Sequence, residues 1–141
     1  EEFFVGPGKT VLAPDEIVVS FTLPAQGDRC AAAYHKHAIR GDTDISIVGV
    51  GVRIGLQEDG TVYKARVALG AVAPKPIRVH EVEEYLVGKK LTDEVIEQAA
   101  RMAEASITPI SDQRASAEYR KEMVYVNMKH MIRAAVEKIG Q

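Results

Sequence analysis

The chain has 141 residues, of which 46% are hydrophobic and 27% charged, with a formal net charge of −2. That length can bury a core in a single domain, 1–141, without disulfides or metals. The charges are well mixed, so no basic stripe marks a nucleic-acid partner, and no apolar run reaches the roughly 20 residues of a membrane span.

Cys30 is the one cysteine, which rules out an internal disulfide and fits a reducing, cytoplasmic setting. No charged-then-apolar leader precedes the first structured segment. The chain begins at Glu1 without methionine, which leaves two expectations open: the tail of a longer polypeptide, or a free-standing chain.

In chain order, Glu16 to Leu23 is a short apolar run rich in β-branched residues, bounded by Pro14-Asp15 and Pro24. It reads as a first strand. After a Gly27-Asp28 turn, Ala31 to Ile39 reads as a second strand. A polar turn, Arg40 to Asp44, then leads into a third over Ile45 to Leu56. On that third strand positions 48, 50, 52, 54 and 56 are Val, Val, Val, Ile and Leu, while 49, 51 and 55 are glycine. Because strand side chains alternate faces, one face is apolar and the other nearly bare. Bare backbone in a strand interior marks a close approach, here expected from a helix or a partner domain.

Glu58-Asp59-Gly60 is a hairpin signal, followed by a fourth strand over Val62 to Leu69 with Tyr63, Ala65, Val67 and Leu69 inward. Pro74 and Pro76 end the sheet region. A short helix is expected near Ile77 to Val87, stopped by Gly88. Thr92 caps the next helix, whose apolar stripe is Val95, Ala99, Met102 and Ala103, and Thr108-Pro109 breaks it. The last helix spans Ser116 to Ile139, with Val124, Met128, Met131, Ala135 and Ile139 buried. Strands first and helices second give an α+β fold: an antiparallel meander of about four strands packed against about three helices.

Few residues carry chemistry on their own. Gly8-Lys9-Thr10 imitates the end of a P-loop, but the pattern needs glycine where Phe3 stands, and no strand precedes it. His35 and His37 share a strand face at a spacing that can bind zinc, yet zinc needs three or four convergent ligands. Neither Cys nor an acidic residue sits nearby at a ligand spacing. Lys36 points to the opposite face beside Tyr34, either as a solvated edge lysine or as a cationic donor to an electron-rich ligand. Asp42-Thr43-Asp44 is readable as turn chemistry, since Asp caps its own backbone. Arg114, Glu118 and Arg120 read as a charged helix start. No catalytic or metal-binding constellation emerges.

Four blocks nevertheless resemble one family, in order and at consistent spacing along nearly the whole chain. They are Phe3 to Gly6 with Leu12 to Ile17; Tyr34-His35-Lys36 with Arg40 to Ile45; Ala68 to Pro74 with Pro76-Ile77-Arg78; and Ile110-Ser111-Asp112 with Arg114 to Lys121. The chain is similar to the C-terminal domain of the FAD-binding (medium) subunit of molybdenum hydroxylases of the carbon monoxide dehydrogenase and xanthine dehydrogenase type.

The resemblance implies a domain that closes over an FAD whose pyrophosphate is held by glycine-rich loops of an N-terminal FAD domain. Such loops are absent from this sequence. It implies flavin contacts from Val18, Lys36, Asp44 and Ile45. Where this chain has Thr43 the family often has an acidic residue. The implied partners are a large subunit with the molybdenum cofactor and a small subunit with 2Fe-2S clusters. Electrons would pass from those clusters through FAD to an external acceptor, and the domain alone is expected to be inactive. A free-standing interaction module of the same fold that has lost flavin binding is the alternative. A small metalloenzyme built on His35 and His37 ranks last.

Overall fold

A computed structural model describes residues 2–41 and 43–140; Asp42 of the polar turn lies outside them. A small hairpin comes first, β1 (Phe4–Gly6) and β2 (Lys9–Thr10), turning at Gly8, whose φ of +65° suits glycine. The main sheet is antiparallel in the order β3 (Cys30–His37), β4 (Val48–Leu56), β5 (Val62–Gly70), β6 (Ile77–Arg78). Three helices follow: α1 (His80–Leu86), α2 (Asp93–Ala105) and α3 (Ala117–Ile139).

The alternation along β4 decides the layering. Val48, Val50, Val52, Ile54 and Leu56 are all buried, and all of the helices lie on that side. The long helix α3 crosses β3 and β4, α1 packs under β5, and α2 joins the other two. Into the same core α3 sends Val124, Met128, Ile132 and Ala135, and α2 sends Ile96, Ala99, Ala100 and Ala103. Each fully buried Val, Ile or Met contributes roughly 1.5–3 kcal/mol, so this interior is the main source of stability. Caps set the helix starts. The Thr92 hydroxyl accepts from Val95 N at 3.4 Å, and the Ser116 hydroxyl accepts from Tyr119 N at 3.1 Å.

The four-strand expectation holds in number but not in membership. Glu16 to Leu23 is no strand: it lies outside both sheets, with Ile17, Val19, Phe21 and Leu23 more than 80% exposed. An apolar β-branched run needs a ladder partner to become a strand, and these residues have none within the two sheets. The fourth strand of the main sheet is instead the short β6 after the Pro74–Pro76 passage.

Within β5 the inward set is Val62, Ala65, Val67 and Leu69, with Tyr63 turned out. The cause is a bulge: Gly55 faces Lys64 while Leu56 faces Val62, so Tyr63 is the extra residue. Its ring then lies over Gly55, where an added Cβ would come within 2.6 Å of Tyr63 Cζ. On β3, Tyr34 covers Gly49 and Gly51, where an added Cβ would meet its hydroxyl at 3.0 Å and its ring at 3.6 Å, respectively. Close approach to the bare face is real, but two tyrosines of the chain itself make it, not a helix.

Candidate functional site

The strand register fixes where the chemistry-bearing side chains point. Lys36 pairs with Gly49 and Tyr34 with Gly51, so both stand on the outer, helix-free face. His35 and His37 pair with Val50 and Val48 and face the helix layer. There the Nε2 of His37 lies 3.1 Å from the Tyr119 hydroxyl at the start of α3. Burial, reinforced by neighbouring His35, pushes the His37 imidazole below its usual pKa. Among the described residues, no three His, Cys, Asp or Glu side chains converge as a metal site.

From Lys36 the strand runs two residues into a loop held by a single carboxylate. The amide of Ile47 donates to the His37 carbonyl at 2.8 Å and closes the loop's mouth. Inside it, Asp44 accepts from the amides of Ile39 (3.0 Å), Arg40 (2.9 Å) and Ile45 (2.9 Å), with the Arg40 guanidinium 3.5 Å away. Partial desolvation opposes ionisation, but the Arg40 and Ile45 amides, the Arg40 charge and the Ile39 amide outweigh it and lower the Asp44 pKa. A carboxylate offers about four lone-pair sites, and this loop uses nearly all of them. Asp44 therefore shapes the loop, while Ile45 beside it is 61% exposed and available for contact.

Behind Ile45 lies a cleft of about 520 Å³, lined by Pro7, Ser46, Ala71 to Pro74, Ile110 and the Asp112–Arg114–Arg120 group. Arg120 is buried and ties three segments together. It donates to the carbonyls of Ile47 and Ala71 and to Asp112 Oδ1 at 2.8 Å, while its Nε has no partner. The Arg114 amide, acting against partial desolvation and helped by Arg120 and the Ala115 amide, holds the Asp112 carboxyl far below the usual range. Ala71 adopts φ +61°, a strained turn for a residue with a Cβ, and Arg120 secures its carbonyl.

Of the four residues expected at the flavin, Asp44 and Ile45 share the stapled loop, and Lys36 lies near the end of β3 that leads into it. Val18 stands on the separate segment before β3, 42% exposed. The ion pair between buried Arg120 and the partly exposed Asp112 is missed by reading Arg114, Glu118 and Arg120 as a charged helix start. The signal was present: Arg120 precedes Val124, Met128 and Ile132 at steps of four, so a cation sits on the buried stripe.

A four-stranded antiparallel sheet covered on one face by three helices, with a lysine strand feeding a carboxylate-stapled loop, is an α+β domain of defined topology. The chain belongs to the CO dehydrogenase flavoprotein C-terminal domain family, whose model matches residues 32–135. It is 33% identical over 139 residues to the xanthine dehydrogenase FAD-binding subunit of Escherichia coli O157:H7, covering 98% of this chain and 47% of that protein. It is 32% identical over 133 residues to the carbon monoxide dehydrogenase medium chain of Hydrogenophaga pseudoflava, covering 94% of this chain and 46% of that one. The structure of carbon monoxide dehydrogenase from Hydrogenophaga pseudoflava lacking the Mo-pyranopterin moiety superposes with a TM-score of 0.87 at 34% identity, over 95% of this chain and 46% of that one. Quinoline 2-oxidoreductase from Pseudomonas putida 86 gives 0.86 at 25% identity, over 98% and 47%. The chain thus spans about half the length of the curated relatives it matches.

Proposed function

We propose that this chain is the C-terminal domain of the FAD-containing subunit of a molybdenum–iron–sulfur hydroxylase. In this reading it closes over a flavin held mainly by an N-terminal FAD domain of the same subunit, next to a molybdenum-bearing large subunit and an iron–sulfur small subunit. The observation that carries the reading is the Lys36 strand end joined to the loop that Asp44 staples. It puts one cation near a strand end and one exposed apolar side chain, Ile45, on the loop that leaves it.

That donor set fits a flavin. A planar ring needs apolar walls for its faces and a fixed charge near the edge that becomes electron-rich on reduction. Lys36 supplies the charge, Ile45 and Val18 supply apolar surface that excludes water, and Asp44 holds the loop by binding its amides. When bound, FAD supplies the redox chemistry between the iron–sulfur clusters and an external acceptor. The domain by itself turns over no substrate, since the oxidation would take place on the molybdenum subunit.

Replacing Lys36 with methionine in the full-length subunit removes a cation at nearly constant length. The reading predicts a flavin midpoint potential more negative by tens of millivolts, about 30 mV corresponding to 1.4 kcal/mol for a two-electron couple, with FAD content retained. Potentiometric titration followed at the flavin absorption band measures it. An unchanged potential in a fully loaded variant would remove Lys36 from the site.

A further inference from the structure

Away from the loop, the outer face of the sheet carries an unusual charge arrangement. The strands β3, β4 and β5 contain no aspartate or glutamate at all. Their outward positions hold Lys36, Arg53, Lys64 and Arg66 around a floor of Ala32, Gly49, Gly51, Ala68 and Gly70. Arg53 and Arg66 are direct cross-strand partners, and like charges placed opposite one another destabilise a sheet. Their partial satisfaction is local: Arg53 Nε donates to Cys30 Sγ at 3.1 Å, and Arg66 donates to its neighbour's carbonyl and lies 3.5 Å from Glu83. Between them lies a shallow cleft of about 440 Å³ that Lys138 and Tyr34 also line.

We propose that this face docks an acidic surface of a partner subunit, with a partner carboxylate inserted between Arg53 and Arg66. Charge complementarity chooses the partner: opposed guanidinium groups become favourable when a carboxylate bridges them through paired hydrogen bonds. Composition and shape argue for protein rather than a small phosphate. Arginine and tyrosine are the residues enriched at interface centres, and Tyr34 is 67% exposed. Tyr34 lies over Gly49 and Gly51, whereas Gly70 has open space above it, so a partner would meet the tyrosine ring beside a small-residue patch of Ala32, Ala68 and Gly70. The amides of β4 are spent on both neighbouring strands, so the floor's middle strand offers no nest of free N–H groups for a phosphate. The cluster is also distinct from the flavin-facing end. From Lys36 to Ala32, which pairs with Arg53, is four residues along β3, about 13 Å at strand rise.

This inference rests on the proposal that the chain is part of a multi-subunit enzyme, but the two are separable. Flavin content is read from absorbance and assembly from sedimentation. In the native complex built on the full-length subunit, Arg53→Glu is expected to weaken association at least about tenfold and to flatten its salt dependence. The thermal midpoint of the free subunit should be unchanged or raised, because an opposite pair then replaces a like one. Arg53→Lys, which keeps the charge, should hold association within about threefold, and Lys9→Glu on the separate β1–β2 hairpin should have no effect. Association of Arg53→Glu as tight as wild type would overturn the proposal. So would an equal loss from Lys9→Glu, or an intact complex in which inorganic phosphate binds the face and Arg53→Glu abolishes that binding.

Discussion

Tyr63 and Gly55 show how one residue settles a local structure. The bulge turns Tyr63 to the outer face, its hydroxyl donates to the Asp28 carbonyl at 3.1 Å, and its ring fills the space a Cβ on Gly55 would need. Gly55→Ala must therefore displace a tethered ring and is expected to cost about 1–2 kcal/mol, the range of overpacking plus a lost hydrogen bond. Gly51→Ala is the contrast, since its Cβ would meet Tyr34 at an ordinary 3.6 Å. It should be neutral or stabilising by up to about 1 kcal/mol through lower unfolded-chain entropy. Urea unfolding of the two variants measures the difference; equal midpoints would show that Tyr63 moves aside freely.

Among the elements, α1 depends most on a single side chain. It has seven residues and no side-chain N-cap, too short to stand by propensity. Glu83, 4% exposed, joins it to the sheet by accepting from Val67 N at 2.9 Å and from the Arg78 guanidinium, with Arg66 at 3.5 Å. Burial opposes the Glu83 charge, but the Arg78 hydrogen bonds, the Val67 amide and the charges of Arg78 and Arg66 prevail, so its pKa falls below the ordinary 4.5. A depressed carboxylate stabilises the fold above its unfolded pKa, and that contribution is lost as pH falls through the lower folded value. Glu83→Gln should therefore cost roughly 1.5–3 kcal/mol at neutral pH, with the gap to wild type narrowing below pH 4.5. Urea midpoints measured across that range test it, and a gap constant into acid would contradict the linkage.

The same scale explains what the sequence could reveal. Periodicity located β3 to β5 and the two longer helices because each places an apolar stripe against one core, and Thr92 and Gly88 marked a real cap and a real stop. The first helix, expected from about Ile77, begins only at His80, because Ile77–Arg78 pair with β5 as β6. Periodicity misplaced the first strand because Glu16 to Leu23 has strand composition, and composition says nothing about whether a ladder partner is present. Tyr63 was assigned inward because alternation cannot foresee a bulge. At the site, Lys36 and its face were legible from strand parity. The buried place of Arg120 is legible from its steps of four to Val124 and Met128, but its partners and those of Glu83 are not, because they lie far away in sequence: Ile47 and Ala71 for one, Val67 for the other.

For the whole molecule, the apolar surface that remains exposed carries the argument. Ile17, Val19, Phe21 and Leu23 lie open on one segment before β3, and contiguous exposed apolar side chains mark contact surfaces. In the proposed assembly that segment and the loop bearing Ile45 meet the FAD domain, while the arginine face meets a neighbouring subunit. The most direct test is to isolate the native polypeptide containing this segment and record its mass and visible absorption spectrum. A chain about twice the length of this one, in line with the 46–47% coverage of its relatives, showing flavin bands at one FAD per chain, is the predicted result. A colourless native chain of about this size would contradict the flavoprotein reading and leave the fold to serve as an interaction module.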